Sequence, residues 1–314
     1  MAAPAALGPL RPRLWVFALA ALLLTGHVTL AYRGWLTHER WFALHLAIGW
    51  AWLAGLLGLA GLRWRHLANP RAIAVLLATA LAICGFWYLG RLDSWQTHWE
   101  PLLPQTSPPQ PPWGWARPVW GFAYFSLSAA LFRIGVPAVV GKLLGLQPAE
   151  LGWRRAAGGP TVWPVYLLLY VAVVPFVVHA AGTPAFQAKY PMARALIDST
   201  HHIALAQFLG YQVLYALVFV SGELFWRGWI CFGLQRDLGA YAILVMLVPY
   251  VFAHLGKPVA EVLGAIAAGT VLGWLALAHR SIWLGVLLHY AVALTMDGLA
   301  MQRADIGLRS TGSP

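Results

Sequence analysis

The chain has 314 residues, of which 60% are hydrophobic and only 10% charged, with a formal net charge of +11. Soluble domains usually carry about 25% charged residues, and a single soluble core stops growing long before it absorbs so large an apolar fraction. A soluble, disordered or nucleic-acid-binding protein is therefore excluded. The composition indicates a polytopic membrane protein embedded in the lipid bilayer, and leaves open enzyme, transporter, receptor or scaffold.

Two cysteines, Cys84 and Cys231, both lie in apolar runs. That argues against a disulfide framework and a zinc–thiolate site. Many of the 18 tryptophans sit at segment ends: Trp64, Trp95, Trp99, Trp113, Trp115, Trp153 and Trp163. Indole favours the membrane interface, so these are expected to form belts.

A spanning helix needs about 20 mostly apolar residues. Candidates in chain order lie near 14–32, 41–61, 71–90, 118–140, 161–181, 208–232, 239–257, 258–277 and 281–301. The fold expected is an all-α polytopic transmembrane helix bundle of about 8–9 spans. The first segment follows Arg11 and Arg13 and is expected to be an anchor rather than a signal peptide, because Thr29-Leu30-Ala31 is a poor cleavage site. Basic residues divide evenly between the two sides, although the tight clusters at 63–71 and 142–155 favour the inside.

Residues 101–118 include Pro101, Pro104, Pro108, Pro109, Pro111, Pro112 and Pro118. This stretch is expected to be an extended linker, not a helix. It divides a three-span amino-terminal region, 1–100, from a six-span region, 119–301, and a tail, 302–314, follows. The absence of an internal repeat weakens an inverted-repeat transporter.

Ionisable groups within apolar runs are costly and usually paired or functional. His27, His45 and Arg133 in the first half are assigned no role. The second half is richer. Glu223 and Arg227 stand four residues apart, one helical turn, and so share a face. His254 closes the run Tyr250-Val251-Phe252-Ala253, and His289 lies within the last span. Glu261 follows His254 by seven residues and Asp297 follows His289 by eight, about two turns in each case. A carboxylate that takes a proton from water, an arginine that holds it ionised and oriented, and two imidazoles suit hydrolysis. A structural ion pair with two packing histidines, or an ion path, would use the same residues.

The order of these motifs resembles the CPBP intramembrane protease family, the CAAX-protease and bacteriocin-processing group. Its pattern is Glu-Glu-x-x-x-Arg, Phe-x-x-x-His and His-x-x-x-Asn on successive helices. The resemblance covers about 160–301. Glu223 and Arg227 match the second Glu and the Arg, His254 and His289 match the two His, and Tyr250 replaces the Phe. The run Gly269-Thr270-Val271-Leu272-Gly273 to Ser281-Ile282-Trp283 is also similar to the family's approach to its last helix. Two positions depart: Gly222 stands for the first Glu and Ala293 for the Asn.

The resemblance implies an intramembrane endopeptidase acting near the end of a membrane-anchored protein or peptide. It places the protein in the plasma membrane of a bacterium, with Glu223, Arg227, His254 and His289 as catalytic residues. Glu261 or Asp297 would supply the group lost at Gly222 or Ala293. Otherwise Glu223 would serve alone as base, or hydrolysis would be lost and a binding role kept. Glu223, His254 and His289 would also satisfy an open zinc site. However, the resemblance implies a glutamate mechanism with no tightly held zinc, and the lack of a His-Glu-x-x-His sequence fits that.

Overall fold

A computed structural model of the chain describes residues 12–34, 41–63, 69–103 and 117–310. Most of the linker 101–118, together with Trp64, Trp113, Trp115, Arg11, Arg40 and Arg65, lies outside the described residues. The described chain is an all-α multi-pass helix bundle with one small sheet. Its helices are α1 (Leu14–Tyr32), α2 (Phe42–Leu59), α3 (Pro70–Gly85), the single turn α4 (Leu92–Ser94), α5 (Arg117–Ala130) and α6 (Val136–Leu143). After these come α7 (Trp163–Ala180), α8 (Pro184–Lys189), α9 (Leu205–Glu223), α10 (Gly233–Leu238), α11 (Ala242–Phe252), α12 (Val259–His279) and α13 (Trp283–Arg303).

Among the described residues, eight helical stretches are long and apolar enough to cross a membrane. The segments expected at 208–232 and 239–257 run together as one helical stretch of 48 residues, Leu205–Phe252. That is about twice the length of one span. Gly239, at φ 58° and ψ −137°, sets a non-helical joint between α10 and the turn into α11, a conformation open to a residue without a Cβ.

The ends of the proline-rich segment differ from the extended conformation expected. Pro101 sits in the first turn of a 3₁₀ helix, Glu100–Leu102, and α5 already begins at Arg117. Proline is tolerated there because first-turn N–H groups have no helical partner to lose. Of the expected belt residues, Trp99, Trp153 and Trp163 are exposed.

The chain divides into two compact units. The first comprises Met1–Cys84, Val136–Ala157 and Glu223–Trp283. Its centre is α11, every residue of which is buried. This helix packs against α1, α2, α12 and the π-helical segment Leu224–Phe232. Glycine permits the close approaches, since small residues let membrane helices gain dispersion contacts. A Cβ at Gly49 of α2 would lie 2.6 Å from Val248, and one at Gly273 of α12 would lie 2.9 Å from Ile243.

The second unit comprises Gly85–Gly135, Gly158–Gly222 and Leu284–Pro314. An aromatic series along α9 organises it. Phe122 meets Tyr211 at 4.7 Å between ring centroids, Tyr211 meets Tyr215 at 5.2 Å, and Tyr215 meets Phe219 at 5.0 Å. Residues four apart on a helix are neighbours, which is why Tyr211, Tyr215 and Phe219 touch in turn. The tail adds a feature absent from the expected all-helical pattern. Strand β2 (Gly307–Arg309) pairs in parallel with β1 (His202–Ala204), aligning His202 with Gly307 and Ala204 with Arg309.

Candidate functional site

Glu223 is the last α-helical residue of α9, and the chain then widens its turn into the π segment Leu224–Phe232. Such π segments are rare and recur at functional sites. Arg227 lies within this one. Its Nη1 donates to Glu223 Oε1 at 2.7 Å, and the two side chains are 0% and 1% exposed. A buried charge is tolerated only when paired and hydrogen-bonded, so the one-turn spacing in the sequence fixes this pair.

Tyr250 joins Arg227 to His254. The guanidinium lies over the Tyr250 ring, 4.7 Å from its centroid. The Tyr250 ring also meets the His254 imidazole at 4.8 Å, nearly edge-on. His254 Nδ1 stands 2.7 Å from the Tyr250 carbonyl. A carbonyl only accepts, so Nδ1 carries a proton. The first unit thus holds Glu223, Arg227, Tyr250 and His254 in one contact series. Sequence reasoning treated Tyr250 only as a substitute for Phe. The signal available was its place four residues before His254, one turn away.

His289 lies in the second unit, on α13, with its ring 4.9 Å from that of Phe219. Asp297, four residues from the end of the expected span, is also in this unit and is 1% exposed. Its Oδ1 accepts from the Met192 N–H at 2.9 Å and its Oδ2 from the Tyr211 hydroxyl at 2.7 Å. Two more polar bonds fasten α13: Tyr290 donates to Gln212 Oε1 at 2.9 Å, and Thr295 and Tyr170 share a bond of 2.7 Å. Ala293, at the position of the family's Asn, is buried in the cluster that holds Tyr211, Tyr215 and Met301.

Glu261, in the first unit, bonds Lys257 at 2.5 Å. This is the i,i+4 pairing that lies within reach on a helix face. Glu261 and Asp297 are each engaged by partners of their own. Among the described residues, no group of three or more His, Cys, Asp and Glu side chains gathers as metal ligands do. The Glu223 carboxylate already faces the Arg227 cation, and a second cation there would meet like charge.

Residues 203–295 match the family model for Rce1-like proteins, described as type II CAAX prenyl endopeptidase Rce1-like. The matched stretch contains Glu223, Arg227, Tyr250, His254, Glu261 and His289, and stops short of Asp297. The family resemblance drawn from three short motifs is borne out over this stretch. No curated protein and no solved structure matches the chain.

Proposed function

We propose that the protein is an intramembrane endopeptidase of the CAAX-protease type, which hydrolyses a peptide bond near the end of a membrane-anchored protein or peptide. The observation that carries this reading is the buried Glu223–Arg227 bond of 2.7 Å, within the stretch that matches the Rce1-like family. Arg227 fixes the carboxylate in one orientation. Glu223 takes a proton from the attacking water as general base. His254, with Nδ1 held to the Tyr250 carbonyl, offers Nε2 to that water or, once protonated, to the developing oxyanion. Motif order, rather than a contact, enlists His289 for the same work. The reaction is read as metal-independent, as the family resemblance implies. The bacterial plasma membrane is the location that the resemblance supports.

A second reading has its own support. Gly222 and Ala293 remove two groups of the family pattern, and a protein that binds a membrane-anchored partner without cutting it would tolerate both losses. Co-expression of a tagged membrane substrate with each variant separates the two. Glu223→Gln keeps volume and an acceptor but cannot take a proton, and is expected to slow cleavage about 10²–10⁴-fold. His254→Ala and His289→Ala are each expected to be severe, and the double variant little worse than either. Full processing by Glu223→Gln would remove Glu223 as base. An intact partner that co-purifies with the wild type would favour the binding reading.

A further inference from the structure

The second unit carries a cavity of about 350 Å³ lined by Gln187, Arg194, Ile197, His201, Ala304 and Ile306. Its lining comes from the segments that follow two apolar stretches, Gly159–Ala180 and Trp283–Arg303. Ala304 follows the second of these directly, and the end of a spanning helix is where headgroups are met. Its lining is divided. Ile197, Ala304 and Ile306 are apolar, while Arg194 and His201 carry donors and the Gln187 amide donates to the Ala181 carbonyl at 2.7 Å.

The polar side is built rather than incidental. Arg194 Nη2 donates to the carbonyls of Gln187 and Tyr190, the latter at 2.8 Å. These bonds fix the guanidinium plane and leave its other N–H groups for a ligand. His201 is held at φ 59°, with its N–H on the Asp198 carbonyl at 3.2 Å and its own carbonyl accepting from Gly307 at 3.0 Å. The segments that supply the lining are also net basic. Residues 184–202 and 302–310 contain Lys189, Arg194, Arg303 and Arg309 against Asp198 and Asp305. Arg309 and Asp198 neutralise each other at 3.1 Å.

We propose that this cavity binds the phosphate of an anionic membrane phospholipid, with Arg194 and His201 on the phosphate and Ile197, Ala304 and Ile306 against the glycerol and first acyl carbons. Basic pockets at the ends of membrane helices suit such headgroups. An inorganic anion would account for the charge but not for the apolar half of the lining. The site owes nothing to hydrolysis and stands whether or not the protein is a protease.

The test uses the full chain purified in neutral detergent and followed by native mass spectrometry. The probes are phosphatidylglycerol, phosphatidylcholine with the same acyl chains, and inorganic phosphate. Phosphatidylglycerol should be retained at least about fivefold more strongly than phosphatidylcholine. Arg194→Gln should lower that retention about fivefold, the loss of one basic contact near a membrane surface. His201→Gln should lower it with an unchanged melting temperature. This second variant leaves the Arg194 bonds to the loop intact, and so decides the matter if Arg194→Gln disturbs folding. Lys142→Gln, a basic change in the other unit, should have no effect. Equal retention of the two lipids, or unaltered retention in His201→Gln, would overturn the proposal. Displacement of the lipid by millimolar inorganic phosphate would overturn it too, and would make the cavity a site for free anions.

Discussion

The indole N–H of Trp50 donates to the Val245 carbonyl at 3.1 Å, and that carbonyl is the one that Pro249 deprives of its helical donor. Residue 249 is four beyond 245, and proline has no N–H to give. In a membrane an unsatisfied carbonyl has no water to turn to. A side chain from α2 therefore repairs the ladder of α11, the helix that ends two residues before His254. Trp50→Phe should destabilise the protein by about 1–3 kcal/mol, the cost of leaving a buried acceptor unpaired. Pro249→Ala supplies a backbone N–H to the same carbonyl, so most of that cost should vanish in the double variant. Thermal unfolding in detergent of the wild type, the two single variants and the double variant gives the comparison. If Trp50→Phe costs as much beside Pro249→Ala as it does alone, the indole acts through bulk and not through its hydrogen bond.

Gly269 of α12 offers a second lever on the same helix. A Cβ there would lie 2.5 Å from Leu247 Cδ1 and 2.9 Å from Tyr250 Cδ1. Tyr250 sits on Arg227, so the wedge would reach the candidate site. Gly269→Ala should cost about 1–3 kcal/mol by overpacking. Gly264, also on α12, would have nothing within 4 Å of an added Cβ, and Gly264→Ala should stabilise by up to about 1 kcal/mol through helix propensity. Opposite shifts of melting temperature in the two variants are the expected result.

How much of this is legible in the sequence depends on the range of the interaction. The Glu223–Arg227 bond is local, one turn of one helix, and the sequence displays it. The spans are visible because lipid demands long apolar runs. The Trp50–Val245 bond joins residues 195 apart in sequence, and no pattern announces it. The same is true of His27 and His45, each a single polar residue on its own span. Their rings lie in the first unit with Nε2 and Nδ1 2.9 Å apart, and His27 packs on Phe252 with centroids 4.4 Å apart. The three-residue strands β1 and β2 are too short to show an alternating pattern. Tyr211 reads as an aromatic core residue, and only the fold shows it donating to Asp297.

Asp198, outside the spans, gives a pH prediction. The Thr200 hydroxyl and the His202 N–H bond its carboxylate at 2.6 Å and 3.0 Å. With the Thr200 N–H and Arg309 adding to them, these lower its pKa from 3.8 to about 2. A depressed carboxylate stabilises the folded form above its unfolded value and loses that contribution as pH falls through the folded one. The clasp between β1 and the tail should therefore hold above about pH 4 and loosen progressively toward about pH 2. Amide exchange of Gly307–Arg309 reads it directly, corrected for the intrinsic pH dependence. Asp198→Asn should remove the acid-dependent step and raise exchange at neutral pH. An acid step that persists in Asp198→Asn would assign the titration to another group.

The buried pair itself separates stability from chemistry. Arg227→Met leaves the buried Glu223 carboxylate without its cation, and should cost about 3–5 kcal/mol. Glu223→Gln leaves the guanidinium equally stranded, so it too should lower the melting temperature. The double variant Glu223→Gln/Arg227→Met removes both charges and should recover most of the loss, because desolvation of two ions offsets their attraction. A strongly non-additive cycle is the signature, as expected for groups in direct contact. The double variant then becomes the proper control for activity: folded and inserted, yet without a general base. Under the protease reading it should leave a co-expressed membrane substrate uncut at wild-type levels of protein. If it regains stability and still cleaves, the Glu223–Arg227 pair is architectural and the base lies elsewhere. If it regains stability and loses cleavage, the defect belongs to proton transfer rather than to folding.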